Sequence, residues 1–261
     1  MTSTGFIRTE RHGQVVAVTI DRPAKLNAFT TEMYRSFGTV FRNISEDSSA
    51  RCVLLRAEGT RAFSVGSDIG QFRRSLGQPK RQRAESRVGR EALDAMTSCP
   101  QPIVVAVNGL SVGGGLQIAA AGDIRVASGD SRFGIPIRTL GMHAEIEDLA
   151  TMRRALGESL CLDLLLTGRL LEADEALACG FLHRLVESAR LEEAALSLAG
   201  DIADGAPLAA RWHKRALRAL AEDPGSAGEL REEALLCYGH SDFAEGCAAF
   251  GEKRKPVFVG A

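Results

Sequence analysis

Val107-Asn108-Gly109-Leu110-Ser111-Val112-Gly113-Gly114-Gly115-Leu116-Gln117 joins the end of an apolar, β-branched run to an Ala-rich helix through three glycines. Glycines at a helix start let the backbone approach a ligand closely, and the unpaired N–H groups of the first turn favour negative charge. The stretch therefore suits an oxyanion. A second stretch, Arg61-Ala62-Phe63-Ser64-Val65-Gly66-Ser67-Asp68-Ile69, follows another β-branched run at Arg51–Arg56. Neither has the G-x-x-x-x-G-K-[ST] spacing of a nucleotide-phosphate loop, and no strand opens into G-x-G-x-x-G. Taken alone, the triple glycine also fits a tight strand-to-helix turn.

Working outward, short β-branched runs recur at Gln14–Ile20, Arg51–Arg56, Pro102–Val107 and Asp123–Ala127, mostly followed by a turn signal and a helical pattern. That alternation predicts an α/β layout with largely buried strands. The first helix is expected from Thr30 to Glu46, with a hydroxyl cap and an acid in its first turn. From about Glu147 onward amphipathic helical segments dominate, and Gly180 stands where a helix C-terminal glycine belongs. The ADGAP break before Pro207 divides an α/β core, residues 1–200, from a helical region, residues 201–261.

The 261 residues are 45% apolar, 25% charged and 5% aromatic, and 32 Lys and Arg nearly cancel 33 Asp and Glu, for a net charge of −1. This balance gives no global drive toward nucleic acid or an anionic membrane, so neither is an expected partner. No apolar run approaches the roughly 20 residues that span a bilayer. The N-terminal MTSTGFIRTERHGQ lacks a basic segment leading into an apolar one, so no secretory signal is read and the expected location is cytoplasmic. Six dispersed cysteines without a C-x-x-C pair read as reduced, mostly buried thiols. The five histidines show no zinc-like spacing, and no metal site is expected. Gln71–Arg90 carries seven basic residues (Arg73, Arg74, Lys80, Arg81, Arg83, Arg87, Arg90) against Glu85 alone. It reads either as a solvated surface helix or as an electropositive rim for an anionic ligand.

Together, AFSVGSDI and NGLSVGGG closely resemble the A-F-x-A-G-A-D-I loop and the N-G-x-x-x-G-G-G helix start of the crotonase superfamily, the enoyl-CoA hydratase/isomerase family. The resemblance runs from Asp21–Phe29 (DRPAKLNAF), through Cys179–Val186, to Phe243–Phe258. It implies a spiral of turns built from two strands and a helix, and a helical C-terminal region that assembles homotrimers, often paired into hexamers. It also implies binding of acyl-CoA thioesters, with coenzyme A as part of the substrate and no further cofactor. Two backbone N–H groups would hold the thioester oxygen as an enolate develops, and they fall on Ser67 and Gly114. Asp68 and Ile69 continue the substrate loop, and Lys25, Leu26 and Val65 fall where the family lines its CoA groove. Lys253, in Glu252–Lys255, falls where a lysine can meet the adenosine phosphates, sometimes from a neighbouring subunit. A frayed basic tail is the plain alternative.

The proton-transfer positions depart from the family pattern. Hydratases of the family use two glutamates, and those positions here are Gln117 and Ile137. Glutamine can orient a water but cannot exchange a proton near neutral pH, and isoleucine can do neither. Eight residues past Ile137, Glu145 matches the carboxylate station of family members that shift double bonds, and of the aromatic thioester dehalogenases. A carboxylate near an acyl chain is expected to have its proton affinity raised toward working pH. The competing reading makes Glu145 an ordinary acid at the start of a helix, with Glu147 and Asp148 suiting the same helix dipole. His143 is a second candidate proton carrier or a structural group. Arg138 either pairs with Glu145 or a substrate carboxylate, or faces out. The expected reaction is enoyl-CoA double-bond isomerisation with Glu145 as acid/base. Hydration with Gln117 positioning water, hydrolysis, dehalogenation, decarboxylation, and a non-catalytic acyl-CoA-binding protein are the alternatives.

Overall fold

Alternate residues of the apolar runs point into two different cores, which is why these runs are apolar throughout. The computed structural model describes residues 2–4 and 6–260. Met1, Gly5 and Ala261, which enter the reading of the N-terminus and the ends of the two expected divisions, lie outside the described residues. The large sheet has the spatial order β1 (Thr2–Thr4), β2 (Ile7–His12), β3 (Val15–Ile20), β4 (Cys52–Ala57), β6 (Ile103–Val107), β8 (Ile124–Ser128) and β11 (Arg184–Val186). The first three strands are antiparallel; from β3 onward every pairing is parallel. The small sheet has the order β10 (Leu171–Glu172), β9 (Arg132–Gly134), β7 (Leu110–Val112) and β5 (Ala62–Ser64).

Three times the chain lays a strand in the large sheet, a strand in the small sheet, and then a helix. β4 and β5 lead to α2 (Ile69–Ser75) and α3 (Pro79–Thr97); β6 and β7 lead to α4 (Gly114–Ala121); β8 and β9 lead to α5 (Ile146–Leu156). Each circuit advances one place in both sheets, so the chain rises as a spiral of ββα turns. The α/β spiral expected from the sequence is the observed fold.

Val53, Leu55, Val105 and Val107 face one core, shared with α1 (Thr31–Glu46), α3, α4 and α5. Cys52, Leu54, Val104 and Ala106 face the other, against Leu191, Ala195, Leu198 and Ala199 of α8 (Leu191–Ala203). This is the period of two expected of a strand buried on both faces. The α1 cap forms as its sequence predicts, with Thr30 Oγ1 accepting from the Met33 N–H at 3.2 Å. Between α5 and β11 come α6 (Glu158–Thr167) and α7 (Ala173–Ala178).

The C-terminal region is helical: α9 (Pro207–Glu222), α10 (Ala227–Leu235) and α11 (Ser241–Glu252). Half-buried Lys214 and Arg218 tie α9 to the start of β8, each reaching Asp123 at 2.7 Å. The cysteines depart in part from expectation. Cys52, Cys99 and Cys161 are buried free thiols, and burial pushes Cys52 up to about 12. Cys179 and Cys247 are exposed, because each lies on the outward side of a helix end or terminal helix. No helix among the described residues is long and apolar enough to cross a membrane.

Candidate active site

Two glycine-bearing loops cross in contact. Gly66 has φ +81°, and a Cβ there would lie 2.6 Å from the Gly114 nitrogen. A Cβ on Gly115 would lie 2.0 Å from the Ser64 carbonyl oxygen. The glycines thus let the loop after β5 pack directly against the start of α4. Phe29 fixes the first loop as a short parallel bridge, donating to Gly66 O and accepting from Asp68 N–H, both at 2.8 Å. Backbone direction alternates along such a bridge, so the intervening Ser67 N–H faces the other way. Gly114 is the first residue of α4, where an N–H has no intrahelical acceptor. Among the described residues neither N–H has a protein acceptor, and both adjoin one cavity.

Asp68 holds this loop. Its carboxylate accepts from Arg22 Nη1 at 2.7 Å and caps α2 through the Gln71 N–H. The Arg22 hydrogen bond keeps the carboxyl below the usual carboxylate range.

The cavity holds about 890 Å³, a size suited to a small ligand. Lys25, Val65, Ser67, Asp68, Ile69, Gly114, Gln117, His143 and Glu145 all line it. Leu26 and Lys253 do not. Leu26 supplies its carbonyl to the Val65 N–H at 3.2 Å, while Lys253 ends α11 in a left-handed conformation. The basic segment divides between its two readings: Arg83 and Arg90 border the cavity, whereas Arg81 and Arg87 pair along α3 with Glu85 and Glu91. Arg138 is occupied elsewhere, donating to the Leu166 and Thr167 carbonyls at the end of α6.

The acids at the start of α5 are arranged differently from the sequence reading. Glu145 is the N-cap residue by position but makes no side-chain cap hydrogen bond; its carboxylate accepts from Ser86 Oγ of α3. Asp148, read as a dipole acid, lines the cavity and accepts from Gln117 Nε2 at 2.9 Å. Burial pushes the Asp148 carboxyl up to about 6; Glu145, Glu147 and Asp94 push the same way, and the Gln117 hydrogen bond opposes them. The carboxyl with proton affinity raised toward neutrality is thus Asp148, three residues beyond Glu145. The other Gln117 amide atom, Oε1, lies 3.7 Å from where a Cβ on Gly114 would stand.

Tyr34, on α1, is a further group that the sequence did not single out. Its hydroxyl lies 3.1 Å from Ser67 Oγ and 2.9 Å from the same Cβ position on Gly114. Burial pushes this phenol up to about 12, so it stays protonated. Ile137, at the second hydratase position, also borders the cavity and offers it no polar group. The arrangement provides two N–H donors and a phenol around one point, and two carboxylates on one wall.

A family model described as enoyl-CoA hydratase/isomerase matches residues 10–261. The chain belongs to the enoyl-CoA hydratase/isomerase family. It is 32% identical to the short-chain-enoyl-CoA hydratase of Clostridium acetobutylicum, with 94% of each chain covered. It is 33% identical to the carnitinyl-CoA dehydratase of Citrobacter koseri, covering 96% of this chain and 97% of that protein. A crystal structure described as an enoyl-CoA hydratase/carnithine racemase from Magnetospirillum magneticum superposes with a TM-score of 0.94 at 39% identity, covering 99% and 97% of the two chains. As a member of this enzyme family, the protein is an acyl-CoA-processing enzyme. Gln117 and Ile137, the positions expected from the sequence resemblance to be hydratase glutamates, both border the cavity, and Gln117 pairs with Asp148.

Proposed function

We propose that the protein isomerises the double bond of an enoyl-CoA through a thioester enolate. The Ser67 and Gly114 N–H groups receive the thioester oxygen, with the Tyr34 hydroxyl beside them. Preorganised donors of this kind contribute roughly 2.7–4 kcal/mol each toward the developing charge. A proton leaves C2 for a carboxylate of the α5 wall, the electron pair moves onto the thioester oxygen, and the wall returns a proton to C4. Glu145 stands at the station where the family resemblance places such a carrier. Asp148 supplies a carboxyl of matched proton affinity.

The observation that carries this reading is the Asp148 carboxyl, pushed up to about 6 and bound to Gln117 within the acyl cavity. Hydration needs a second polar station to place water and proton together, and Ile137 leaves that station apolar. Transfer along one wall needs none. The test is conversion of a 3-enoyl-CoA to the conjugated 2-enoyl-CoA, followed as growth of the conjugated thioester's ultraviolet absorption. Absence of conversion with chain lengths that bind would reject the proposal.

Hydration is the second reading. Its support is the fixed Gln117 amide, whose Oε1 beside Gly114 is free to accept from a water, and the hydratase and dehydratase names of the relatives. It predicts loss of the conjugated absorption on adding enzyme to a 2-enoyl-CoA.

We also propose a cytoplasmic homotrimer or hexamer, with residues 201–261 as the assembling region and 1–200 as the catalytic spiral. Exposed Leu235, Leu236, Tyr238 and Phe250, the last 89% exposed, support an apolar subunit interface there. Lys253 would then serve the adenosine phosphates of a neighbouring subunit's ligand. Light scattering on the purified protein tests the assembly; a monomer would reject it.

A further inference from the structure

Behind the Gln117–Asp148 pair lies a second, much smaller space between α3, α4 and α5. It holds about 30 Å³ and is lined by Asp94 and Thr97 of α3, Gln117 of α4, and Glu147, Asp148 and Thr151 of α5. Arg90, Leu93, Gln117 and Asp148 border both this chamber and the acyl cavity, so they form the partition between them. A buried water needs roughly 10–15 Å³ of such space and two to four polar partners. The chamber is lined by carboxylates, hydroxyls, an amide and the Arg90 guanidinium, together with the apolar Leu93 and Ala121 and the carbon stems of the polar residues. Its outer wall meets solvent, because Asp94 and Glu147 are exposed.

We infer that the chamber is a water-filled proton inlet, through which the Asp148 carboxyl trades its proton with solvent from the side opposite the acyl cavity. The inference rests on the reading that Asp148 carries protons for the substrate. Gln117 occupies Asp148 Oδ2, and Oδ1 has no protein donor among the described residues, so it is open to a water. The groups around Asp148 are Glu147 on its own helix, Glu145 at that helix's N-cap, Arg90 and Asp94 on α3, Gln117 on α4 and Tyr34 on α1. Only Arg90 is cationic, and it lies 3.9 Å from Glu147. No cation therefore pins Asp148 as a carboxylate, and an acyl chain filling the large cavity would close the route on that side. The raised proton affinity of the group, from burial first, fits frequent exchange near neutral pH.

The chemistry balances without a co-reactant. A C2 proton passes to the Asp148 carboxylate, the carboxyl hands it to chamber water and takes a deuteron in D₂O, and the enolate recovers that deuteron at C2. The thioester is regenerated with one hydrogen exchanged.

Full-length protein in D₂O with butyryl-CoA tests the inlet, since this saturated thioester can lose a C2 proton but cannot isomerise. Wild type should exchange C2 hydrogen for deuterium by mass spectrometry. Thr151→Leu, which fills the chamber, should slow exchange roughly tenfold or more, while butyryl-CoA affinity and Tm hold and Thr151→Ser keeps the wild-type rate. Undiminished exchange in Thr151→Leu overturns the inlet. So does a dry chamber in a crystal structure that resolves ordered water elsewhere. If wild type binds butyryl-CoA but exchanges nothing, the enolate reading fails. The crystal structure then decides the inlet alone: water on Asp148 Oδ1 supports it, and its absence overturns it.

Discussion

Where the Gly66 loop crosses Gly114, the site is made of backbone; along the start of α5 it is made of side chains brought in from four helices. The first region allows almost no variation, because a Cβ on Gly66 or Gly115 would fall within 2.6 Å of the opposing main chain. The second is built of side chains that no opposing main chain confines in this way, among them Gln117, Glu145, Asp148 and Tyr34. A rigid frame for the oxyanion can thus keep one pattern while the proton-carrying groups beside it change.

The largest effects should come from the side-chain region. Asp148→Asn keeps an acceptor for Gln117 Nε2 and removes the titrating carboxyl. It should lower kcat about 10²–10⁴-fold with acyl-CoA affinity preserved by calorimetry. Glu145→Gln should fall in the same range, and full activity in that variant would remove Glu145 from the mechanism. In the backbone region, Gly114→Pro deletes one N–H at a helix start and also sets a ring against the Tyr34 hydroxyl, which a Cβ there would approach to 2.9 Å. An expected loss in kcat of about 10²–10³ follows, with far-UV circular dichroism confirming the fold.

The smaller effects concern stability. Gly115→Ala sets a methyl against the Ser64 carbonyl and should cost about 1–3 kcal/mol in urea unfolding. Asp148→Asn should do the reverse. The folded Asp148 value of about 6 lies above the ordinary 3.8, so folding disfavours its charged form. That contribution to stability is intact below about pH 4 and is lost as pH rises through 6. The variant should therefore gain about 1 kcal/mol at about pH 8, after allowance for solvent screening, and little at about pH 4. A variant less stable than wild type at about pH 8, with the loss shrinking toward about pH 4, would show that the carboxyl is held in its charged form.

The two regions also differ in how far the sequence reveals them. The oxyanion loops are continuous segments whose glycines stand at fixed spacing, so AFSVGSDI and NGLSVGGG could be read directly. The long buried strands at Val15–Ile20 and Ile103–Val107 show through their β-branched runs, within a residue of the observed ends. The strands of the small sheet have only two or three residues each, too few to display a period. Asp148 was read for the helix dipole because its partner Gln117 lies 31 positions away on another helix. One signal was present: Glu145 and Asp148 are three apart, so both fall on one face of α5. Nothing local marks Tyr34, whose ring packs on Phe29 from an ordinary core helix while its hydroxyl reaches Ser67. No local signal marks the partner of Arg138, because the carbonyls at the end of α6 that occupy its guanidinium lie 28 and 29 positions along the chain.

The central claim is that a carboxyl of the α5 wall moves the substrate's proton, and the pH dependence of kcat/KM for a 3-enoyl-CoA tests it most directly. Wild type should show an acid limb, with activity falling as pH drops through about 6 because the base becomes protonated. The residual activity of Asp148→Asn should lack that limb. The same limb, undisplaced, in Asp148→Asn would contradict the account.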